Sequence, residues 1–375
     1  MDLRPLWLVG SLGVAGLPGL GGTPAPEAPA AAPAEALADP FLLPPDALIF
    51  VRRVGTAGLS DRFRLQNLVR NIFAPRETGG MAIQYDNART RSVADVWLEG
   101  KANCLSLTAF FVASCKALNI SVDYAEVLNT NHWRRVGNVV HFERHVVAMI
   151  RGGSSQPMVA DFVPDLRKSI GTYVVAVIPE ARFRAFYYSN LAVEAYTRGD
   201  LEEARQLAQV ALAKDPKSGV GWNILGVVQS AQGDLAGAEA SYRKAMALDP
   251  KDGSPIGNME ALTTLQGRTE EAAKFRQMGE KTRKLDPYFH AYLAEEALGD
   301  GHLLEASGQI HEALKLLPTE PDFFLLDARV KLASGDSGGA VKELERAKAL
   351  SDPRERERYD SKIYAIRGLK PAVQN

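Results

Sequence analysis

Two stretches of eighteen residues, GDLEEARQLAQVALAKDP at 199–216 and GDLAGAEASYRKAMALDP at 233–250, stand 34 residues apart and share their first three and last two residues. The step continues along the chain, since Gly199, Gly233, Gly267, Gly301 and Gly335 each lie 34 residues from the last. Ala204, Ala238, Ala272, Ala306 and Ala340 keep the same spacing, as do Ala211, Ala245, Ala313 and Ala347, with Gly279 on the missing rung. Tyr188 and Trp222, then Leu191 and Leu225, open the first two units, and Pro216 and Pro250 close them. A fixed period of this length marks stacked supersecondary units, each too small to bury its own apolar face. The glycines turn one helix into the next, and the alanines let paired helices approach closely.

On these residues the segment 185–352 resembles the tetratricopeptide repeat, or TPR, a helix-turn-helix unit of about 34 residues. The resemblance implies an all-α solenoid of five repeats whose concave surface holds a protein or peptide partner; a rigid spacer or a supporting wall is the competing reading. The third unit departs from the pattern at Met259 and Glu260, and its closing proline slips to Pro287. Residues 353–375 read as a capping helix and tail, with the charged run Asp352–Tyr364 at the open end. Gly335-Asp336-Ser337-Gly338-Gly339 fits a serine-hydrolase elbow, but no strand precedes it, so it reads as an inter-helix turn. Gly100-Lys101 has Asp95 where a phosphate loop needs its first glycine, so no nucleotide site is indicated.

Ahead of the repeats, residues 46–180 mix helical and strand signals. Leu105–Leu118 carries Leu, Ala and Phe at helical spacing, with Asn119 a left-handed stop before a strand over 120–127. Cys104 falls at that helix start, where unpaired N–H groups and the macrodipole favour a thiolate. His145–Ile150 and Met158–Phe162 alternate as strands around a turn of Gly, Ser and Pro. With the hairpin centred near Ser154, His145 faces Val163 and Asp161 is its diagonal neighbour on the same face. A carboxylate there would fix the ring tautomer and stabilise an imidazolium paired with the Cys104 thiolate. His132, in a polar loop-like stretch, and His141, in the preceding Val-rich strand, compete with His145 for the base role. Cys115 reads as core, Asn103 is nominated only as an oxyanion donor, and Tyr85 and Trp97 fit either core or site.

Thr90-Arg91-Ser92-Val93-Ala94-Asp95, Asn103-Cys104-Leu105-Ser106-Leu107, His145 and Asp161-Phe162-Val163-Pro164 together resemble the bacterial transglutaminase-like superfamily, a papain-related fold, over Tyr85–Pro164. The resemblance implies an α+β papain/transglutaminase-like domain over 46–180, followed by the TPR solenoid. It also implies Cys104 as nucleophile, His145 as base and Asp161 as orienter in an acyl-transfer enzyme, a protease, amidase, deamidase or transglutaminase acting through a thioester. No cofactor or metal is expected, because no short paired-ligand spacing is present. The alternative is a non-catalytic protein-interaction scaffold of the cell envelope.

The remaining features bound these readings. The 375 residues allow two or three domains, and 44 Lys and Arg against 45 Asp and Glu give a net charge of −1, so no basic field invites nucleic acid. Cys104 and Cys115, the two cysteines, lie eleven residues apart, too far along one helix to form a disulfide. Residues 1–22, with Arg4 ahead of a short apolar run from Trp7, read as a signal peptide, and the Pro- and Ala-rich 23–45 as an extended tether. An exported, periplasmic or envelope-associated protein is expected, with no membrane span beyond a possible uncleaved signal anchor.

Overall fold

The computed structural model describes residues 7–9, 39–55, 60–136, 139–151, 158–162, 173–250, 252–284, 286–351 and 356–368. Among the described residues are fifteen α-helices and seven β-strands, so this part of the chain is mainly helical. It divides into two compact units, one of Leu8–Arg134 and His141–Pro250, the other of Lys251–Asn375 with Met1–Trp7 and Arg135–Val140. Apart from β1 (Trp7–Val9) and residues 39–45, the expected leader and tether lie outside the described residues.

In the first unit the last residues of that tether are packed rather than extended. Phe41 is buried between Phe183 and Tyr187, at ring-centroid distances of 5.9 and 4.9 Å. Arg184 lies over the Phe41 ring and bonds Asp39 through both terminal nitrogens, at 2.8 and 3.1 Å. Helices α1 (Pro45–Val54) and α2 (Asp61–Phe73) follow, then β2 (Gln84–Tyr85), α3 (Val93–Glu99), β3 (Lys101–Ala102) and α4 (Cys104–Ala117). A reciprocal cap of Ser92 and Asp95 starts α3. Asn103 caps α4 by accepting the Ser106 N–H at 2.9 Å, and Asn119, at φ 55°, ends it in the left-handed region. Every residue of α4 from Leu105 to Val112 is buried, which makes this helix the centre of the unit.

Strands β4 (Val122–Val136), β5 (Val139–Ile150), β6 (Met158–Ala160) and β7 (Val175–Ile178) come next. β5 neighbours β4 and β6, and β7 pairs antiparallel with β4, Tyr124 opposite Ile178 and Val127 opposite Val175. β5 and β6 are antiparallel, with Ala148 opposite Ala160 and Ile150 opposite Met158. Helix α5 (Glu180–Thr197) then pairs with α6 (Leu201–Lys214), and α7 (Gly219–Ala231) with α8 (Leu235–Leu248).

The second unit continues the helical pairs: α9 (Ser254–Leu265) with α10 (Thr269–Arg283), α11 (Pro287–Gly299) with α12 (Leu303–Leu316), and α13 (Pro321–Ala333) with α14 (Ser337–Leu350). Helix α15 (Arg356–Ile366) packs on the last pair through the buried Tyr359 and Ile363, so one face of the expected polar cap is apolar. Met259, which breaks the repeat pattern, is fully buried, and Pro287 opens α11 rather than closing the third unit.

All five glycines of the 34-residue step close the first helix of a pair with φ between 71° and 86°, a conformation strained for any residue with a Cβ. The residue that follows stands at the N-cap of the next helix. Asp200, Asp234 and Asp336 each cap it by accepting a backbone N–H three residues on, at 3.0, 2.9 and 2.7 Å. Arg268 and His302 stand at the same step and cap nothing with their side chains. Gly335–Gly339 is thus a helix–helix turn. The alanines at the first rung of the step are buried, Ala204, Ala238, Ala306 and Ala340 almost completely.

These pairs are tetratricopeptide-like, and the fold class is corrected to that extent. The TPR-like helix pairs stand where the solenoid was expected; in front of them lie α1–α4 and β2–β7, which do not by themselves make a papain-like domain. The strands are present, but a hairpin beside a helix occurs in many folds, so it does not identify a papain relative.

Candidate functional site

The residues singled out by the sequence sit on α4 and on the β5–β6 hairpin. Cys104 is the first residue of α4 and is partly exposed, whereas Cys115, on the same helix, is buried, and burial pushes its thiol up to about 12. Asn103, nominated as an oxyanion donor, caps α4 with its side-chain oxygen, and its side-chain amide donates to the Thr90 hydroxyl at 3.0 Å. One turn along α4 from Cys104, Thr108 Oγ1 donates to the Val146 carbonyl at 3.5 Å, which places this part of the helix against β5.

The antiparallel register makes His145 and Asp161 diagonal neighbours, and the structure brings them together. His145 Nε2 lies 2.9 Å from Asp161 Oδ2, and both residues are buried. Tyr173, which precedes β7, donates its hydroxyl to the same oxygen at 2.5 Å, with its ring edge-on to His145 at 6.0 Å. Burial, then the bond to the Asp161 carboxylate, holds the Tyr173 phenol well above its ordinary range. Nothing in the pattern around Tyr173 marked it as the third member of this group. His132 and His141 lie on the strands, and their side chains are outside the described residues. Trp97, half-buried, packs on the buried Phe50 at 5.4 Å, and Tyr85 lies in β2.

A buried histidine and carboxylate, joined by a half-buried phenol, fix the imidazole tautomer. The same network cross-links three segments, β5, the end of β6 and the approach to β7. Position alone does not separate the two uses.

Comparison with known proteins bears on the repeats. No family model matches the chain, and no curated protein matches it. Among solved structures, one described as a functional characterization of Pseudomonas aeruginosa pilF shares 20% identity over 51% of this chain and 88% of its own, with a TM-score of 0.38. The TPR protein TTC0263 of Thermus thermophilus shares 20% identity over 47% of this chain and 97% of its own, with a TM-score of 0.35. YrrB, described as a TPR protein with an unusual peptide-binding site, shares 17% identity over 48% of this chain and 92% of its own, with a TM-score of 0.29.

The expected function is corrected accordingly. The likenesses found are to repeat proteins rather than to a transglutaminase-like enzyme, and the acyl-transfer reading built on Cys104, His145 and Asp161 is not retained. Its physical basis was a helix-start cysteine and a histidine–carboxylate pair, and the pair is present as a buried link between β5 and the end of β6. Among the described residues no helix is long and apolar enough to cross a membrane.

Proposed function

We propose that the protein is a non-catalytic protein-interaction scaffold whose TPR helix pairs hold a protein or peptide partner. The observation that carries this reading is the series of helix pairs built on the 34-residue step, from α5–α6 to α13–α14. Stacked pairs of this kind generate extended concave surfaces suited to an elongated ligand. The first helices of successive pairs touch, α5 with α7 and α11 with α13, which supports placing them on the inner side of the stack. Arg329 Nη1 on α13 donates to Glu295 Oε1 on α11 at 2.7 Å, and both side chains are half exposed, so this pair offers a partner both signs of charge.

The segment before the repeats is read as keeping a transglutaminase-like architecture without its activity, as a body that docks beside the repeats. The order of α4 followed by antiparallel strands supports that reading. Placement at the cell envelope, reached by export, belongs to the same proposal and rests on the apolar run after Arg4. The test is binding of the full chain to an array of extended peptides, compared with the double variant Glu295→Lys, Arg329→Glu. Selective peptide capture that the double variant loses or redirects supports the scaffold. Capture that is absent, or the same in both, overturns placement of the binding surface on α11 and α13.

A further inference from the structure

Helix α5 belongs to two assemblies at once. It is the first helix of the repeats, pairing with α6 and touching α7, and it is also bonded into the segment that starts α4. The connection runs through one buried residue, Thr90. Its backbone N–H donates to Glu194 Oε1 on α5 at 2.6 Å, and its hydroxyl also bonds the Glu194 carboxylate. The Thr90 oxygen accepts from Asn190 Nδ2 on α5 at 3.4 Å and from Asn103 Nδ2 at 3.0 Å. Asn103 is the cap of α4, next to Cys104.

The next residue fastens the same loop to the same helix start. The Arg91 N–H donates to Ser106 Oγ at 2.7 Å, and the Arg91 guanidinium, itself buried, bonds Asp86 and Glu99, each at 2.7 Å. The loop is therefore fixed on its own side by Arg91, and Thr90 links it across to α5. All hydrogen-bonding capacity of Thr90 apart from its carbonyl is used in joining the Asn103 cap to α5.

We infer that Thr90 is a coupling junction through which the first repeat helix sets the geometry of the α4 N-terminus, and with it the environment of the Cys104 thiol. The junction is a regulatory device of the fold, and it holds whatever the repeats bind. A shift of α5 draws on Thr90, Thr90 turns the Asn103 amide, and the cap whose N–H groups surround Cys104 loosens. Thiolate stabilisation at a helix start depends on those groups being aligned, so Cys104 reports the state of the junction.

The experiment is alkylation of the full chain by iodoacetamide across pH, with Cys104 and Cys115 quantified separately by mass spectrometry. Cys115, buried in the same helix, is the internal reference for unfolding. In Thr90→Val and Glu194→Ala the Cys104 rate at neutral pH is expected to fall about fivefold and the midpoint of its pH profile to rise, a size typical of coupling through packed networks. Glu194→Gln, which keeps an acceptor for the Thr90 N–H, is expected to restore the wild-type profile. An unmoved midpoint in Thr90→Val and Glu194→Ala, with Cys115 still protected, overturns the inference. If either variant unfolds and exposes Cys115, Asn190→Ala decides. It removes one α5 donor, and a smaller shift in the same direction is the supporting result, whereas an unshifted profile is fatal.

Discussion

In the repeats, each helix pair is closed by residues adjacent in sequence. Gly335 makes the turn, Asp336 caps the next helix at Gly339, and Ala340 seats it against α13. In the helix-and-sheet part before them the decisive contacts run far along the chain. Thr90 meets Glu194 across 104 residues, and Asp39 meets Arg184 across 145. The first kind of region has a stability that is nearly a sum over neighbours, whereas the second gains its contacts together and loses them together. The two should therefore answer a single substitution differently.

The largest test is Phe110→Ala at the centre of α4, where the ring is fully buried. Removing it costs about 3–5 kcal/mol. The loss should appear in hydrogen exchange throughout α1–α4 and β4–β7 at once, while α13 and α14 keep their protection. Protection lost only within α4 would show that this part is as local as the repeats. Ala340→Leu is the counterpart in the repeats. Its site is closed by Phe324, Leu344 and Tyr359, so overpacking should cost about 1–3 kcal/mol and stay within α13–α15. A change reaching α9 would contradict nearest-neighbour behaviour.

The difference in range also decides what could be read in advance. The 34-residue step was legible because a turn that needs a left-handed residue accepts glycine, and the close helix contact accepts alanine, in every unit. The third pair was harder to recognise because Met259 fills its core where the pattern expects Leu, yet it folds to the same outline. Along β5 and β6 a period of two points His145 and Asp161 to one face, and they meet there. What that meeting is for was not legible, since a register carries geometry and no function. Tyr173, Phe41 and the Thr90–Glu194 bond left no local trace, because nothing in the residues around one partner specifies the other. The aspartates after the turn glycines carry a local signal as well, because Gly-Asp is a helix stop followed directly by a helix start.

Those aspartates give a smaller test within the repeats. His302 stands where Asp200, Asp234 and Asp336 cap, and its side chain caps nothing. His302→Asp should install the missing cap on α12 and stabilise by about 1 kcal/mol, visible as a higher melting temperature and slower exchange at the first turn of α12. No change would mean that the turn after Gly301 differs from its counterparts after Gly199, Gly233 and Gly335.

The smallest expected effect lies at the junction between the two kinds of region, and its sign is fixed by electrostatics. Burial, the largest influence, raises the Glu194 carboxyl above the ordinary glutamate range despite its bonds to Thr90. A carboxyl raised on folding binds its proton more tightly in the native state than in the unfolded chain. Its contribution to stability is complete below the unfolded value of about 4.3 and is lost as pH rises through the folded value. Glu194→Gln keeps the shape and the acceptor while removing the ionisation. The variant should match the wild type near pH 4 and exceed it at neutral pH by less than about 1 kcal/mol. The difference should grow only over the interval above the ordinary glutamate value and then level off. A difference of the opposite sign, with the wild type more stable at neutral pH, would mean that the charge on Glu194 strengthens its bond to Thr90 by more than its burial costs. That outcome would make the junction a charge-dependent clasp instead of a buried carboxyl that the fold tolerates for its hydrogen bonds.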